Sequence, residues 1–378
     1  MVMSNGKGSV VVAMSGGVDS SVAAHLLNDQ GYSLVGVSMQ VWDYKRNCGS
    51  GSKATCCSPA DFCDARMVAS ALKFPFYVVD FEKTFQQEVI DRFVDTYKRG
   101  LTPNPCIDCN TKVKFRALRD RAKSFGCDYV ATGHYARVKK SNSGYHLLRG
   151  RDRDKDQSYF LYTIEQDELA ETLFPVGDFT KSEIRALASD VGLVTAQKPE
   201  SQDICFVSGS ISDFLVNIGG ATRKTGDFVT SKGVKIGEHS GVHQFTVGQR
   251  RGLDIGGSSE PLYVIAIDAT SNTVVVGGRD ELEQSEFGVE AIHLVSPELR
   301  VRIAKEEVFE IDVVVQVRSR HGGSPARVRF DASRREAVVM WKKDWAPASP
   351  GQAAVFFDES NEELLGGGRI KGALLQKH

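Results

Sequence analysis

The stretch Val10 to Leu27, VVVAMSGGVDSSVAAHLL, constrains the fold of this chain more than any other. Its valines read as a strand buried on both faces, as in a parallel sheet, and the alanines and leucines after Ser21 read as a helix. The turn between them must be made by Ser-Gly-Gly. Gly16 and Gly17 have no Cβ, so the backbone can take positive φ and bring several N–H groups to bear on one anion. A helix starting near Asp19 adds its positive end, with Ser20 and Ser21 able to donate hydroxyls. The spacing G-x-x-x-x-G-K-[ST] and its lysine are missing. A loop that holds pyrophosphate as a leaving group therefore suits the residues better than one that transfers a γ-phosphoryl group. A tight packing turn of small residues would not need the run Ser-Gly-Gly-x-Asp-Ser-Ser.

Downstream, strand-like and helix-like segments alternate: helix over about 19–30, LVGVSMQVW, helix over 60–73, FYVVDF, helices over 83–98 and 110–125, then DYVATGH. That order predicts a parallel sheet covered by helices, with ligands at the carboxyl ends of its strands. Thr180 and Glu183 form a capping pattern for a helix running to Asp190. After Cys205 the texture changes to short strands punctuated by glycine, and beyond about 285 to strands and turns alone. The fold class expected is α/β: a parallel-sheet domain over 1–208, a small β-rich central domain over 209–283 and a C-terminal β-barrel over 284–378. No apolar run approaches the roughly 20 residues that span a bilayer, and MVMSNGKGSVVV lacks the features of a secretory signal. A cytoplasmic protein with no membrane partner is expected.

The eight cysteines, 48, 56, 57, 63, 106, 109, 127 and 205, all lie in the first 205 of 378 residues, a distribution unlike that of a short disulfide-stapled protein. In LTPNPCIDCNTKVKF, Pro103 and Pro105 predict a stiffened loop with the next helix starting at Asn110 or Thr111. Cys109 just before that helix, with Lys112 and Lys114 nearby, is a candidate nucleophile; C-x-x-C is equally a metal-ligand pair. Cys205 lies among polar residues on an expected loop. The crowded set Cys48, Cys56, Cys57 and Cys63 has no standard zinc spacing and reads as a loop over the nucleotide site. Net charge is −1, yet residues 110–155 carry thirteen Lys/Arg against four Asp, the footprint that phosphate backbones select.

The SGGxDS signature, Ser15 to Ser20, resembles that of the ATP pyrophosphatase (PP-loop) superfamily, with its adenine nucleotide alpha hydrolase-like fold. Together with NPCIDCN, ATGHYAR (Ala131 to Arg137), KDQSYFLY (Lys155 to Tyr162), SQDICF (Ser201 to Phe206), FTVGQRRGL (Phe245 to Leu253) and PGQAAVFFD (Pro350 to Asp358), it makes nearly the whole chain similar to the bacterial-type tRNA-specific 2-thiouridylases. The resemblance implies an ATP site at Ala13, Met14, Ser15, Gly16, Gly17, Val18, Asp19, Ser20, Met39 and Gly133, with Mg2+ accompanying ATP. It implies Cys109 as nucleophile, Cys205 as the persulfide-bearing cysteine fed by a sulfur-carrier protein, and a catalytic part for Asp19. Asn104, Pro105 and Cys106 would face the target base. His134, Lys155, Asp156, Gln157, Ser319, Arg320 and Gln352 would contact tRNA, although Arg-Ser-Arg around 319 departs from the more usual aromatic there.

A second departure lies at Cys106, where many members carry Asp. Cys106, Cys109 and Cys205 are then enough thiols to hold a [4Fe–4S] cluster with one iron open, an alternative to the persulfide relay. Two other classes compete: a PP-loop ligase acting on a small molecule, which would need neither Cys109 nor the barrel, and a cysteine-rich metal- or redox-sensing RNA-binding protein, which would not turn over ATP.

Overall fold

The computed structural model describes residues 7–42, 58–200, 204–207, 209–256 and 260–371. Cys48, Cys56 and Cys57 lie outside them. The chain forms two compact units, the first built from residues up to Ile90, from Pro105 to Val207 and Val295–Pro297. Its centre is a five-stranded parallel sheet in the spatial order Phe76–Asp80, Ser33–Gln40, Ser9–Ala13, Tyr129–Ala131, Thr172–Leu173. Val10, Val11 and Val12 are fully buried, as a strand covered on both faces requires. The helix Val18–Asp29 buries Val22, Ala23, Ala24 and Leu27, the alanines being small enough for close approach to the sheet. Strand order reverses on either side of Ser9–Ala13, which pairs with Ser33–Gln40 on one flank and Tyr129–Ala131 on the other. The loops leaving Ala13 and Ala131 therefore flank a topological switch point, where open α/β sheets bind ligands.

The second unit takes in 91–104 as well as 209–294 and 298–371. Phe93 stacks edge-on against Tyr97 and Phe214, so the helix Asp91–Lys98 is packed here, whereas the sequence reading placed it within the first domain. A four-stranded sheet runs Tyr263–Asp268, Thr273–Gly277, Gly226–Thr230, Lys235–His239. Six further strands, Glu286–Leu294, Glu336–Trp341, Ser324–Asp331, Val308–Gln316, Ala353–Phe357 and Glu363–Ile370, close into a barrel because the first pairs with both the second and the last. In Ser324–Asp331 burial alternates residue by residue: Ala326, Val328 and Phe330 point into the barrel core, while Arg327 and Arg329 face water. The expectation of strands and turns alone beyond 285 is corrected by the helix Pro297–Ile303. Its Ser-Pro-Glu start is a helix-initiation signal, since proline fits the first helical position.

Four histidines, His134, His239, His243 and His321, are held by burial below the ordinary imidazole range, His321 down to about 4. Each stays neutral in the folded protein, while the unfolded chain takes up a proton below about pH 6.5. Their contribution is thus complete above that pH and shrinks as pH falls toward 4, by up to about 1.4 kcal/mol per pH unit for each proton taken up on unfolding. Thermal unfolding is expected at a lower temperature at pH 5.5 than at pH 7.5; equal midpoints would contradict this reading.

Candidate active site

Gly16 takes φ +73°, and a Cβ there would stand 2.3 Å from the carbonyl oxygen of Asp61, so only glycine fits. Gly17 differs from expectation. Its φ is −89° and a Cβ would meet nothing nearer than the Ser15 hydroxyl at 3.5 Å. It occupies the N-cap position of Val18–Asp29 and supplies no side-chain acceptor to the first-turn amides. Instead the hydroxyls of Ser20 and Ser21 donate to the Gly17 carbonyl at 3.1 and 2.9 Å, and the Ser15 amide donates to the Ser20 oxygen at 3.3 Å. Ser15 itself is exposed. Gly133 closes the other side: a Cβ there would lie 2.8 Å from the Ser20 amide nitrogen, so this turn rests directly on the helix start. Met39 is half-buried near the end of its strand.

Asp19 is the node of the site. Its Oδ1 accepts from the Tyr135 hydroxyl at 2.7 Å, and both carboxylate oxygens accept from Lys181 Nζ, at 2.7 and 2.8 Å. Burial first, and then the Asp19 charge, push the Tyr135 phenol upward, so it stays a donor. Lys181 opens the helix Lys181–Asp190, capped as expected by Thr180 and Glu183. A lysine in the first turn opposes the helix dipole. Asp19 and, at 3.1 Å, Glu200 offset it. Glu200 also pairs with Lys155 at 2.8 Å, and Lys155 followed by Lys181 holds its carboxyl below the usual range. Two residues earlier, Lys198 reaches Asp61 at 2.6 Å and also Asp64. Burial works against the Lys198 charge, but the two carboxylates win and raise its pKa.

The cysteine pair departs from the loop expected of it. Pro105 starts a helix rather than blocking one, because a first-position proline lacks only an N–H that would have no intrahelical partner. Pro105–Asp108 leads without a break into a π-helical run, Cys109–Ala117, and then Leu118–Ser124. Cys106 is exposed in the first turn, and Cys109 half-buried three residues on. π-helical segments concentrate at functional sites. The run is held by Asn110, which donates to the Phe160 carbonyl at 3.2 Å, and by Thr111 against Thr163. Lys114 Nζ lies 3.5 Å from Nε2 of His134, whose other ring nitrogen is 2.6 Å from the Thr132 hydroxyl. The strand-end turn Thr132-Gly133-His134 thus touches the glycine-loop helix through Gly133 and the cysteine helix through His134. Beside half-buried Cys205, Phe206 stacks on Phe85 at 5.6 Å, and the Glu82–Phe85 helix packs against Cys109–Ala117.

Other predicted positions turn inward. His134 is buried between Phe115 and Phe174. The Asp156 carboxylate is spent on Arg149 at 2.6 Å, the Gly150 amide and Ser158. Gln157 accepts from the Tyr135 amide at 3.0 Å. In the second unit the predicted pieces converge around Thr102–Asn104. The Thr102 amide donates to the Pro350 carbonyl at 2.8 Å, its hydroxyl bonds Thr246 at 3.1 Å, and Gln352 Nε2 donates to the Pro103 carbonyl at 3.4 Å. Ser319 and Arg320 are exposed on a barrel turn that Gln316 braces through the carbonyls of Arg318 and Ser319. Arg327 and Lys342, on the barrel's outer face, both pair with Asp312 at 2.8 Å.

Sequence reasoning missed Lys181, Tyr135, Lys198 and Glu200. One signal was available: a lysine placed at the wrong end of a well-capped helix.

Three family descriptions match consecutive stretches: a tRNA methyl transferase HUP domain over residues 8–209, a tRNA methyl transferase PRC-barrel domain over 212–278, and an aminomethyltransferase beta-barrel domain over 286–370. Among curated proteins, the tRNA-specific 2-thiouridylase MnmA of Geotalea uraniireducens is 45% identical, covering 100% of this chain and 98% of that protein. The protein of the same name in Geobacter metallireducens is 46% identical (97% and 98% covered), and that of Rickettsia prowazekii 43% (96% and 98%).

The two glycines of the loop are separable by experiment. Gly16→Ala should lose more than about tenfold in affinity for a non-hydrolysable ATP analogue and destabilise the fold by about 1–3 kcal/mol, the usual range for overpacking. Gly17→Ala should fold normally. Calorimetric titration and thermal unfolding of both variants check this, and equal behaviour would refute it.

Proposed function

Since the chain belongs to the tRNA-specific 2-thiouridylase family, we propose that it is an ATP-dependent tRNA-uridine 2-sulfurtransferase forming 2-thiouridine at wobble position 34 of the tRNAs for Lys, Glu and Gln. The observation that carries this reading is the glycine-loop cradle, anchored by Asp19 and Lys181, joined to the Cys106–Cys109 helix through the Thr132–His134 turn. The uracil 2-oxygen attacks the α-phosphate of ATP, held with Mg2+, and pyrophosphate leaves with its charge met by the loop amides and the Lys181 ammonium. The oxygen is now part of AMP, a good leaving group. The terminal sulfur of a Cys205 persulfide attacks C2 and AMP departs. Cys109 attacks the Cys205 sulfur, closing a disulfide as the transferred sulfur stays with the base, and an external dithiol resets the pair.

A splayed anticodon base would be met by Asn104, Pro105 and Cys106. The grip of Thr246 and of Pro350 to Gln352 on Thr102 and Pro103 supports this. The inward contacts of Asp156, Gln157 and His134, and the Lys155 pair with Glu200, favour a role in shaping the tRNA surface, leaving Ser319, Arg320 and the other basic residues of 110–155 to meet phosphates. The domain division 1–208, 209–283 and 284–378 is retained, with 91–104 serving the second unit. Methyl transfer, the wording of two family descriptions, is disfavoured by a loop suited to pyrophosphate.

Unmodified tRNA, ATP, Mg2+ and a persulfide donor should yield 2-thiouridine with wild type, and at least about a hundredfold less with Cys109→Ser or Cys205→Ser, as expected for loss of a nucleophile. Iron and acid-labile sulfide in anaerobically purified protein, with activity lost on their removal, would replace the persulfide relay by a cluster on Cys106, Cys109 and Cys205. Full activity of both serine variants would refute the relay.

A further inference from the structure

Two ammonium groups and two carboxylates meet where the triphosphate of ATP would be bound. Lys181 Nζ serves Asp19 at 2.7 Å and Glu200 at 3.1 Å, Lys155 Nζ serves Glu200 at 2.8 Å, and Arg185 stands 4.0 Å from Glu200. The carboxylates are not equivalent. Asp19 lies in the first turn of the glycine-loop helix and is held a second time by the Tyr135 hydroxyl. Among the described residues, Glu200 is held by cations alone, and its side chain is 26% exposed, so it can leave into water. Two residues earlier, Lys198 pairs with Asp61 at 2.6 Å and with Asp64.

Resting on the ATP-dependent reading above, we propose that Glu200 is a positioning residue of the nucleotide site: its carboxylate stands between Lys155 and Lys181 in the place of the β- and γ-phosphates, and ATP must displace it to bind. Polyphosphate brings more negative charge than these two ammoniums can satisfy alongside both carboxylates, and Glu200 is the one free to go. The device keeps Lys155 and Lys181 extended toward the loop and neutralised, rather than folded away on other partners. AMP, which brings no β- or γ-phosphate, leaves Glu200 in place and meets no competitor. No covalent step is involved.

The test is calorimetric titration of full-length wild type, Glu200→Gln, Glu200→Ala and Glu200→Asp with α,β-methylene-ATP, pyrophosphate and AMP. Removing the competitor should tighten binding of the ATP analogue and pyrophosphate about fivefold in the Gln and Ala variants, the scale of partly exposed ion pairs. Glu200→Asp should stay near wild type, and AMP affinity should be unchanged throughout. In turnover, KM for ATP should fall with the binding constant. Unchanged or weaker polyphosphate binding in both Glu200→Gln and Glu200→Ala would overturn the proposal, as would equal tightening of AMP, which would mark a general change in the pocket. Failure of wild type to bind the ATP analogue at all would overturn the nucleotide reading itself and this proposal with it.

Discussion

An ammonium group at the unfavourable end of its own helix holds the site together. Lys181 pays for a position against the dipole of Lys181–Asp190 by pairing with Asp19, a residue 162 positions earlier in the chain. Because Asp19 lies in the first turn after Gly17, this pair fixes the start of the helix Val18–Asp29. Tyr135 adds a donor to the same carboxylate from just beyond Gly133, which packs on Ser20. Three stretches remote in sequence are thereby tied to one carboxylate.

Much of this was legible in the residues. The valine run gave a doubly covered strand, the Ser-Gly-Gly turn gave the positive-φ Gly16 just before a helix start, and Thr180 with Glu183 marked a helix start to the residue. Two of the departures share a cause. Pro105 was read as a breaker and Pro297 was passed over, although proline at a first helical position is well placed. The pairs Lys181–Asp19, Lys198–Asp61 and Lys155–Glu200 could not be read, because each joins residues more than forty positions apart and depends on which surfaces the fold apposes. Asp156 shows the opposite error: a charged residue within a recognisable motif proved to be a buried partner of Arg149.

The π-helical turn at Cys109–Ala117 deserves comparison with the regular helices around it. A wider turn shifts the residues beyond it relative to an α-helical path, so that Lys114 meets His134 while Asn110 reaches the Phe160 carbonyl. The local geometry is therefore coupled both to the strand-end turn and to the segment after Gln157. A cysteine seated at the start of such a run has its position set by contacts on two sides.

The polypeptide also leaves its first unit at Ile90 and returns at Pro105, after contributing Phe93, Val94 and Tyr97 to the core of the second. An N-terminal fragment cut at 208 would keep that helix but lose Phe214, one of the rings it is buried against. It would carry an apolar face into solvent and invite aggregation. The parallel-sheet half of this molecule is consequently a poor candidate for separate expression, and gene fusions or split versions would do better to keep 91–104 in company with residues beyond 209.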